Sequence, residues 1–148
     1  MTALLTTRTE QAIRDLTERA ADLVSQVIPD CEGACLGTSA VLAYVLGANG
    51  VSTRAVRGQY DEHPHWWLET TTTRIDATRQ QFLDGGPLVE PLDSVRDEDP
   101  YVWDLSLPSD WTREQAVAEF ARMFEYGDVG EQHGHRILAA LEDAAKEI

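Results

Sequence analysis

The sequence has few basic residues, and this shortage argues against whole classes of partner. Its 12 lysines and arginines stand against 26 aspartates and glutamates, which gives a formal net charge of -14 and a pI near 4.5. A surface of this sign repels phosphate backbones and anionic membrane surfaces. We therefore expect neither nucleic acid nor a membrane as a partner. The acidic excess keeps the protein in solution, and a preference for basic peptides or proteins is the alternative interpretation.

Cysteine and long apolar runs are scarce as well. The chain has 2 cysteines, Cys31 and Cys35, which are too few and too closely spaced for the disulfide framework of a small secreted protein. No apolar run approaches the ~20 residues of a transmembrane helix. Met1 to Arg8 lack the basic segment and apolar core of a signal peptide. These absences predict a cytoplasmic protein whose thiols are reduced.

What the chain does contain predicts one folded domain over residues 1–148, of class α+β. An apolar fraction of 43% fits a globular protein, and a chain of this length buries roughly 68 to 70% of its unfolded surface. Helical spacing of apolar residues predicts helices over residues 9–27, 112–126 and 135–147, and β-branched alternation predicts strands over 51–58, 65–71, 74–77 and 101–103. Glycines and prolines predict a break over 127–134 and a surface loop over 83–100. We expect the helices to pack on a small antiparallel sheet.

A further helix, from Cys35 to Leu46, is apolar on nearly every side and is therefore expected at the centre of the fold. Cys35 occupies its first turn, where the positive end of the helix dipole favours a thiolate, the nucleophilic form of cysteine. The backbone N–H groups at the same helix start can donate to an oxyanion. The plain alternative is that Cys35 is a small buried hydrophobe, as free cysteines usually are.

Two short strands bring candidate partners for this cysteine. Alternation puts His65 and Trp67 on one strand face, and an imidazole beside a thiol gives a thiolate–imidazolium pair. Asp76, on the next strand, would hold the ring. Considered alone, a histidine such as His65 is more often a hydrogen-bonded structural residue. An aspartate such as Asp76, considered alone, more often begins a turn. The order cysteine, histidine, acid favours nucleophilic catalysis.

These residues resemble a known family. Cys35 with Gly50 fifteen positions later, the run His65–Glu69 (His-Trp-Trp-Leu-Glu) and the run Ile75–Thr78 (Ile-Asp-Ala-Thr) are similar to the transglutaminase-like branch of the papain-type cysteine enzymes, over residues 33–82. The resemblance implies a papain or transglutaminase-like fold with the nucleophile Cys35 at the N-terminus of the central helix. It implies His65 as general base and acid, and Asp76 as the residue that orients it. The ending Asp-Ala-Thr-Arg-Gln-Gln-Phe resembles small bacterial and phage members.

The sequence departs from that pattern at two positions. Trp66 replaces a small residue, and Ala77 replaces a common proline. Neither departure removes a catalytic group. Together with the small size and the lack of calcium-binding loops, they argue against a large calcium-dependent cross-linking enzyme.

Several residues have open assignments. Cys31 competes with Cys35 as nucleophile. Cys31, Cys35, His63 and His65 form a possible zinc set, although the usual close cysteine pair is missing. Trp66, Trp67 and Trp103 are candidates for lining a substrate groove, although tryptophans in a small sheet are more often part of the core. Gln59 and Tyr60 are candidates for reaching an oxyanion.

The function expected is a cysteine-dependent amide hydrolase or acyl transferase that acts on peptide or protein amide bonds through Cys35, His65 and Asp76. This chemistry needs no metal or cofactor, and its partner is the peptide or protein substrate. The alternative is a catalytically inactive member of the same fold that binds a protein through its acidic surface and the loop over 83–100.

Overall fold

Helices and one antiparallel sheet make up the structure, a computed structural model that describes residues 7–29, 33–82, 85–92 and 99–147. The helices are α1 (Thr7–Ser25), α2 (Cys35–Ala48), α3 (Arg113–Ala121) and α4 (Gly127–Lys146). The strands are β1 (Arg54–Tyr60), β2 (His63–Glu69), β3 (Thr73–Asp76), β4 (Leu88–Pro91) and β5 (Tyr101–Pro108). They pair antiparallel in the order β4-β3-β2-β1-β5. The predicted α+β class with an antiparallel sheet is therefore confirmed. None of the described helices has the length and apolarity to cross a bilayer.

Helix α2 lies at the centre of the main apolar cluster. Of its 14 residues, 9 are buried, and the cluster includes side chains from every helix together with Ala55, Leu68 and Ile75 of the sheet. Gly37 lets α3 come close, because a Cβ there would lie only 2.8 Å from the Phe120 Cα atom. The prediction of a buried central helix is confirmed.

A second, aromatic cluster covers the opposite face of the sheet. Leu68 belongs to the main cluster and its neighbour Trp67 to the second one, and successive residues of a strand point to opposite faces. The members of the aromatic cluster are Val56, Tyr60, Trp67 and Tyr101, with Phe82 and Leu88 packed against them. His65 lies two residues before Trp67, so its ring faces this aromatic cluster.

The predicted loop over 83–100 is wrong in part, because its described residues include strand β4, which pairs with β3 through Asp76↔Leu88 and three further positions. The strand predicted over 101–103 also continues to Pro108 along β1. Strand pairing supplied from distant parts of the chain overrides the turn-forming composition in both places.

The break predicted over 127–134 is also wrong, since α4 begins at Gly127. Gly130 sits inside the helix, where a Cβ would meet the Ala121 carbonyl oxygen at 2.7 Å. Gly134 contacts the Val117 side chain, which a Cβ would approach to 3.3 Å. These glycines allow close packing of α4 on α3, whereas in the sequence alone they resemble a break between two helices.

A bulge shapes the sheet beside His65. The register of β1 and β5 shifts between Arg57 and Gly58, and Gly58 is the residue opposite His65 on β2. A Cβ at Gly58 would lie 2.1 Å from the Val102 carbonyl oxygen and 2.8 Å from the Trp67 ring atom Cη2. Only glycine therefore fits between the neighbouring strand and the Trp67 ring.

We expect Gly58→Ala to destabilise the protein by about 2 to 4 kcal/mol, because neither the Val102 backbone nor the packed Trp67 ring can move away at low cost. The matched control is Gly47→Ala in α2, where nothing lies within 4 Å of the added carbon. Alanine there should raise the free energy of unfolding by roughly 0.5 to 1 kcal/mol. Urea unfolding of both variants measures the difference, and equal effects would contradict this account of the bulge.

Candidate active site

The site forms where β2 and β3 separate. These strands pair only through Leu68↔Ile75 and Glu69↔Arg74, after which β3 ends and the chain turns into a short 3-10 segment, Arg79–Phe82. That segment lies beside β2 at His65, since Gln81 and Phe82 both contact the His65 ring. The space next to His65 is thus filled by side chains and by the start of α2, instead of by another strand.

The start of α2 places the Cys35 thiol beside the His65 ring, close enough to raise the pKa of the ring. Cys35 is half-buried. The residue before it, Ala34, is the N-cap and makes no side-chain hydrogen bond to the helix, because its methyl group has no acceptor. The amides of the first turn therefore keep the positive end of the helix dipole uncapped, next to the sulfur.

The His65 ring is held from its other side by Asp76. His65 Nε2 lies 2.7 Å from Asp76 Oδ2, and both side chains are almost completely buried, with exposures of 0% and 1%. A carboxylate only accepts hydrogen bonds, so Nε2 carries the proton of this bond. Because Nε2 is committed to Asp76, Nδ1 is the ring nitrogen that remains for the thiol. The three predicted catalytic residues are thus brought into sequential contact.

Asp76 has more partners than the sequence indicates. Its Oδ2 also accepts from the Tyr101 hydroxyl at 2.7 Å. Its Oδ1 accepts from the backbone N–H of Thr78 at 3.0 Å and from the Thr78 hydroxyl at 3.4 Å. The contacts with Thr78 and the contact with the His65 ring are thus made by different oxygens of Asp76. Both oxygens of this buried carboxylate are therefore hydrogen-bonded.

The surroundings of His65 act on its charge in opposite directions. Burial by itself lowers the pKa of the ring, because it disfavours the charged form. The hydrogen bonds to Asp76 and Cys35 and the negative charges of the same two residues more than offset burial, and they raise the pKa of His65 from 6.5 to about 9. Burial, followed by the nearby Asp76 charge, raises the pKa of Tyr101 above its ordinary value, so its phenol stays a hydrogen-bond donor.

The residues proposed for substrate binding have different surroundings. Trp67 is buried, stacks on His65 at a centroid distance of 5.9 Å, and donates its indole N–H to Glu69 at 2.9 Å. Tyr60 is buried too and stacks on Phe82 at 4.8 Å. Both rings therefore support His65 from inside the aromatic cluster. Gln59 is exposed on β1, and the register puts it opposite Pro64, one pair away from the Gly58↔His65 pair.

Three residues in and around the site were not assigned a role from the sequence. Tyr101 holds Asp76 but lies 25 residues after it, so no local spacing indicates the contact. Arg74 packs over the Tyr101 ring at 4.2 Å and pairs with Glu90 at 2.9 Å. Gln81 contacts His65 Nδ1 at 3.4 Å. The sequence does indicate the segment that carries Gln81, through the Asp-Ala-Thr-Arg-Gln-Gln-Phe run, but it indicates no role for this glutamine.

Cys31, the alternative nucleophile and a member of the possible zinc set, lies outside the described residues. His63, another member of that set, is exposed and stacks on Phe82 at 5.7 Å. Across residues 7–29, 33–82, 85–92 and 99–147, no group of three or more histidines, cysteines and acids is arranged to hold a metal ion.

Comparisons with protein-family models, with curated proteins and with solved structures found no match to this chain. The likeness to the transglutaminase-like branch therefore rests on the motifs around Cys35, His65 and Asp76 and stays a prediction. The geometry of those residues stands independently of it. A half-buried thiol, an imidazole of raised pKa and a buried carboxylate in series can carry out nucleophilic attack and proton transfer.

The pKa of His65 predicts how stability depends on pH. The folded ring titrates at about 9 and the unfolded ring near 6.5, so protonation stabilises the fold fully below pH 6.5. That stabilisation, about 3 kcal/mol, is lost as the pH rises through about 9. Over this range we expect the free energy of unfolding of the wild type to fall by about 3 kcal/mol more than that of His65→Gln. Parallel pH profiles of the two proteins in urea unfolding would contradict the assignment.

Proposed function

We propose that this protein is a cysteine-dependent amide hydrolase or acyl transferase acting on peptide or protein amide bonds, with a fold of the papain or transglutaminase-like type. One observation carries the proposal. The Cys35 thiol lies beside the His65 ring and raises its pKa, and His65 Nε2 lies 2.7 Å from the buried carboxylate of Asp76. A merely structural histidine has no need of a half-buried thiol beside its ring and a buried acid on Nε2.

At neutral pH the proton of the Cys35 thiol resides on His65 Nδ1, so the reaction begins from a thiolate beside an imidazolium. The sulfur attacks the amide carbonyl, forming a C–S bond and a tetrahedral oxyanion. His65 then gives its proton to the amine nitrogen as the C–N bond breaks, and the acyl group remains on Cys35 as a thioester. Water or an amine attacks this thioester with His65 as base, which returns the sulfur to its starting state.

Asp76 and the start of α2 stabilise the charges of these steps. Asp76 fixes the tautomer of His65, because its carboxylate keeps the proton on Nε2, and it stabilises the imidazolium. The uncapped amides at the start of α2 lie beside the sulfur and are placed to donate to the oxyanion. Burial of His65 and Asp76 strengthens their interaction, since the local dielectric is lower than in water.

Selective alkylation tests the nucleophile. We expect iodoacetamide at pH 6 to label Cys35 at least about tenfold faster than Cys31, because Cys35 is held beside an imidazolium. Peptide mass spectrometry measures both rates across pH 5 to 9. Equal rates that follow an ordinary thiol, with a midpoint of about 8.5, would remove Cys35 from the nucleophile position.

Turnover tests the enzyme class itself. On a library of peptide amides, with and without an added primary amine, Cys35→Ala should lower turnover by about 1,000-fold or more while leaving the thermal midpoint nearly unchanged. Cys31→Ser is the matched control and should keep wild-type turnover. The inactive binding module would be favoured if the wild type forms no thioester with any member of the library. In that case the wild type and Cys35→Ala would bind a protein partner equally well.

Asp76→Asn should lower turnover by orders of magnitude, because asparagine does not hold the imidazolium. It should also lower the free energy of unfolding by about 1 to 3 kcal/mol. The asparagine NH2 group would face hydrogen-bond donors, either those of Thr78 or those of His65 and Tyr101. Turnover and urea unfolding measured on the same variant check both effects. Unchanged turnover would reduce the proposed catalytic set to Cys35 and His65.

A further inference from the structure

The carboxamide of Gln81 lies between the two parts of the chain that carry the proposed catalytic groups. Its Oε1 accepts from the backbone N–H of Gly33, two residues before Cys35, at 3.3 Å. Its Nε2 lies 3.0 Å from the Thr78 carbonyl oxygen and 3.2 Å from the Thr78 hydroxyl. Thr78 is the residue whose backbone N–H and hydroxyl bind Asp76. One side chain therefore joins the turn before the nucleophile to the turn that holds the acid.

These backbone partners fix which way the amide points. A backbone N–H only donates and a backbone carbonyl only accepts, so the oxygen must face Gly33 and the nitrogen must face Thr78. The same nitrogen lies 3.4 Å from His65 Nδ1. Gln81 thus presents an N–H to the ring nitrogen that faces the thiol, and it can donate to that nitrogen while the ring is neutral.

We propose that Gln81 is a positioning residue that sets the separation between Cys35 and His65. This inference rests on the proposed function, because it assigns Gln81 a role in the Cys35–His65–Asp76 site. Its oxygen holds the turn that leads into α2, and its nitrogen holds the Thr78 turn and the Nδ1 edge of the ring. The distance between sulfur and ring depends on these contacts, and misplacement of reacting groups by about 1 Å can cost about 100-fold in rate.

The charge of His65 reports whether this separation is kept. Titratable groups reach the ring from several elements: Cys35 from α2, Asp76 from β3, Tyr60 from β1 and Tyr101 from β5, while Glu69 holds the stacked Trp67. Of these, Cys35 is the group whose contact depends on the Gly33 turn. A change at Gln81 should therefore alter the Cys35 contribution to the charge of His65 and leave the Asp76 contact in place.

Two substitutions separate positioning from general packing, both made in a Cys31→Ser background so that Cys35 is the single thiol. Gln81→Met keeps the shape and removes every hydrogen bond of the amide. It should slow alkylation of Cys35 by iodoacetamide at pH 6 by about tenfold and shift the pKa of His65, followed by ¹⁵N NMR of its ring. Gln81→Glu keeps an acceptor for Gly33 and places a negative charge beside the ring, so it should raise the pKa of His65.

Slower alkylation of Cys35 in Gln81→Met and a raised pKa of His65 in Gln81→Glu are the expected results. Gln132→Met, a change at the exposed glutamine of α4, is the matched control and should leave both the alkylation rate and the titration at wild-type values. If Gln81→Met and Gln81→Glu change only the thermal midpoint, while His65 titrates as in the wild type, the positioning role is overturned. Neither readout requires turnover, so an inactive wild-type protein would end the proposed function without deciding the role of Gln81.

Discussion

The buried hydrogen bond between His65 and Asp76 is the interaction on which the rest of the structure depends. A carboxylate with 1% exposure is costly unless it is fully hydrogen-bonded, and Asp76 is bonded by residues from β2, β5 and the turn after β3. In the sheet order, β3 and β5 are three strand spacings apart, ~14 Å in a flat sheet. The direct contact of Tyr101 with Asp76 therefore requires the sheet to curl around its aromatic face, and Gly58 with its bulge permits that curvature.

Each of the two apolar clusters positions a different part of the site. The main cluster fixes α2 and with it Cys35, whereas the aromatic cluster fixes the His65 ring. Neither cluster alone brings sulfur and imidazole together. They meet where β2 and β3 separate, and the Arg79–Phe82 segment fills the gap, with Phe82 against the ring at 4.8 Å. The site thus lies at the boundary of two independently packed regions, which explains why a polar side chain such as Gln81 links them there.

The sequence predicted those features that depend on local pattern. The apolar run after Cys35 identified the central helix, and the alternation around His65 put its ring on the face that carries Trp67. Contacts between distant segments were not readable in the same way. Tyr101 has no motif, strand β4 lies among prolines and glycines, and Gly130 and Gly134 resemble a break until α3 is placed against them. Cys35, His65 and Asp76 were found because each is marked by its neighbours, and their meeting in space is a property of the curled sheet.

The central claim is that Cys35 and His65 form a thiolate–imidazolium pair supported by Asp76. The most direct measurement is ¹⁵N NMR of the His65 ring at pH 7.5, compared between the Cys31→Ser protein and the same protein carrying Cys35→Ala. The account predicts two protonated ring nitrogens in the first protein, with a titration midpoint at about 9 that falls when the sulfur is removed. A neutral ring with a midpoint near the ordinary value of about 6.5, unchanged by Cys35→Ala, would contradict it.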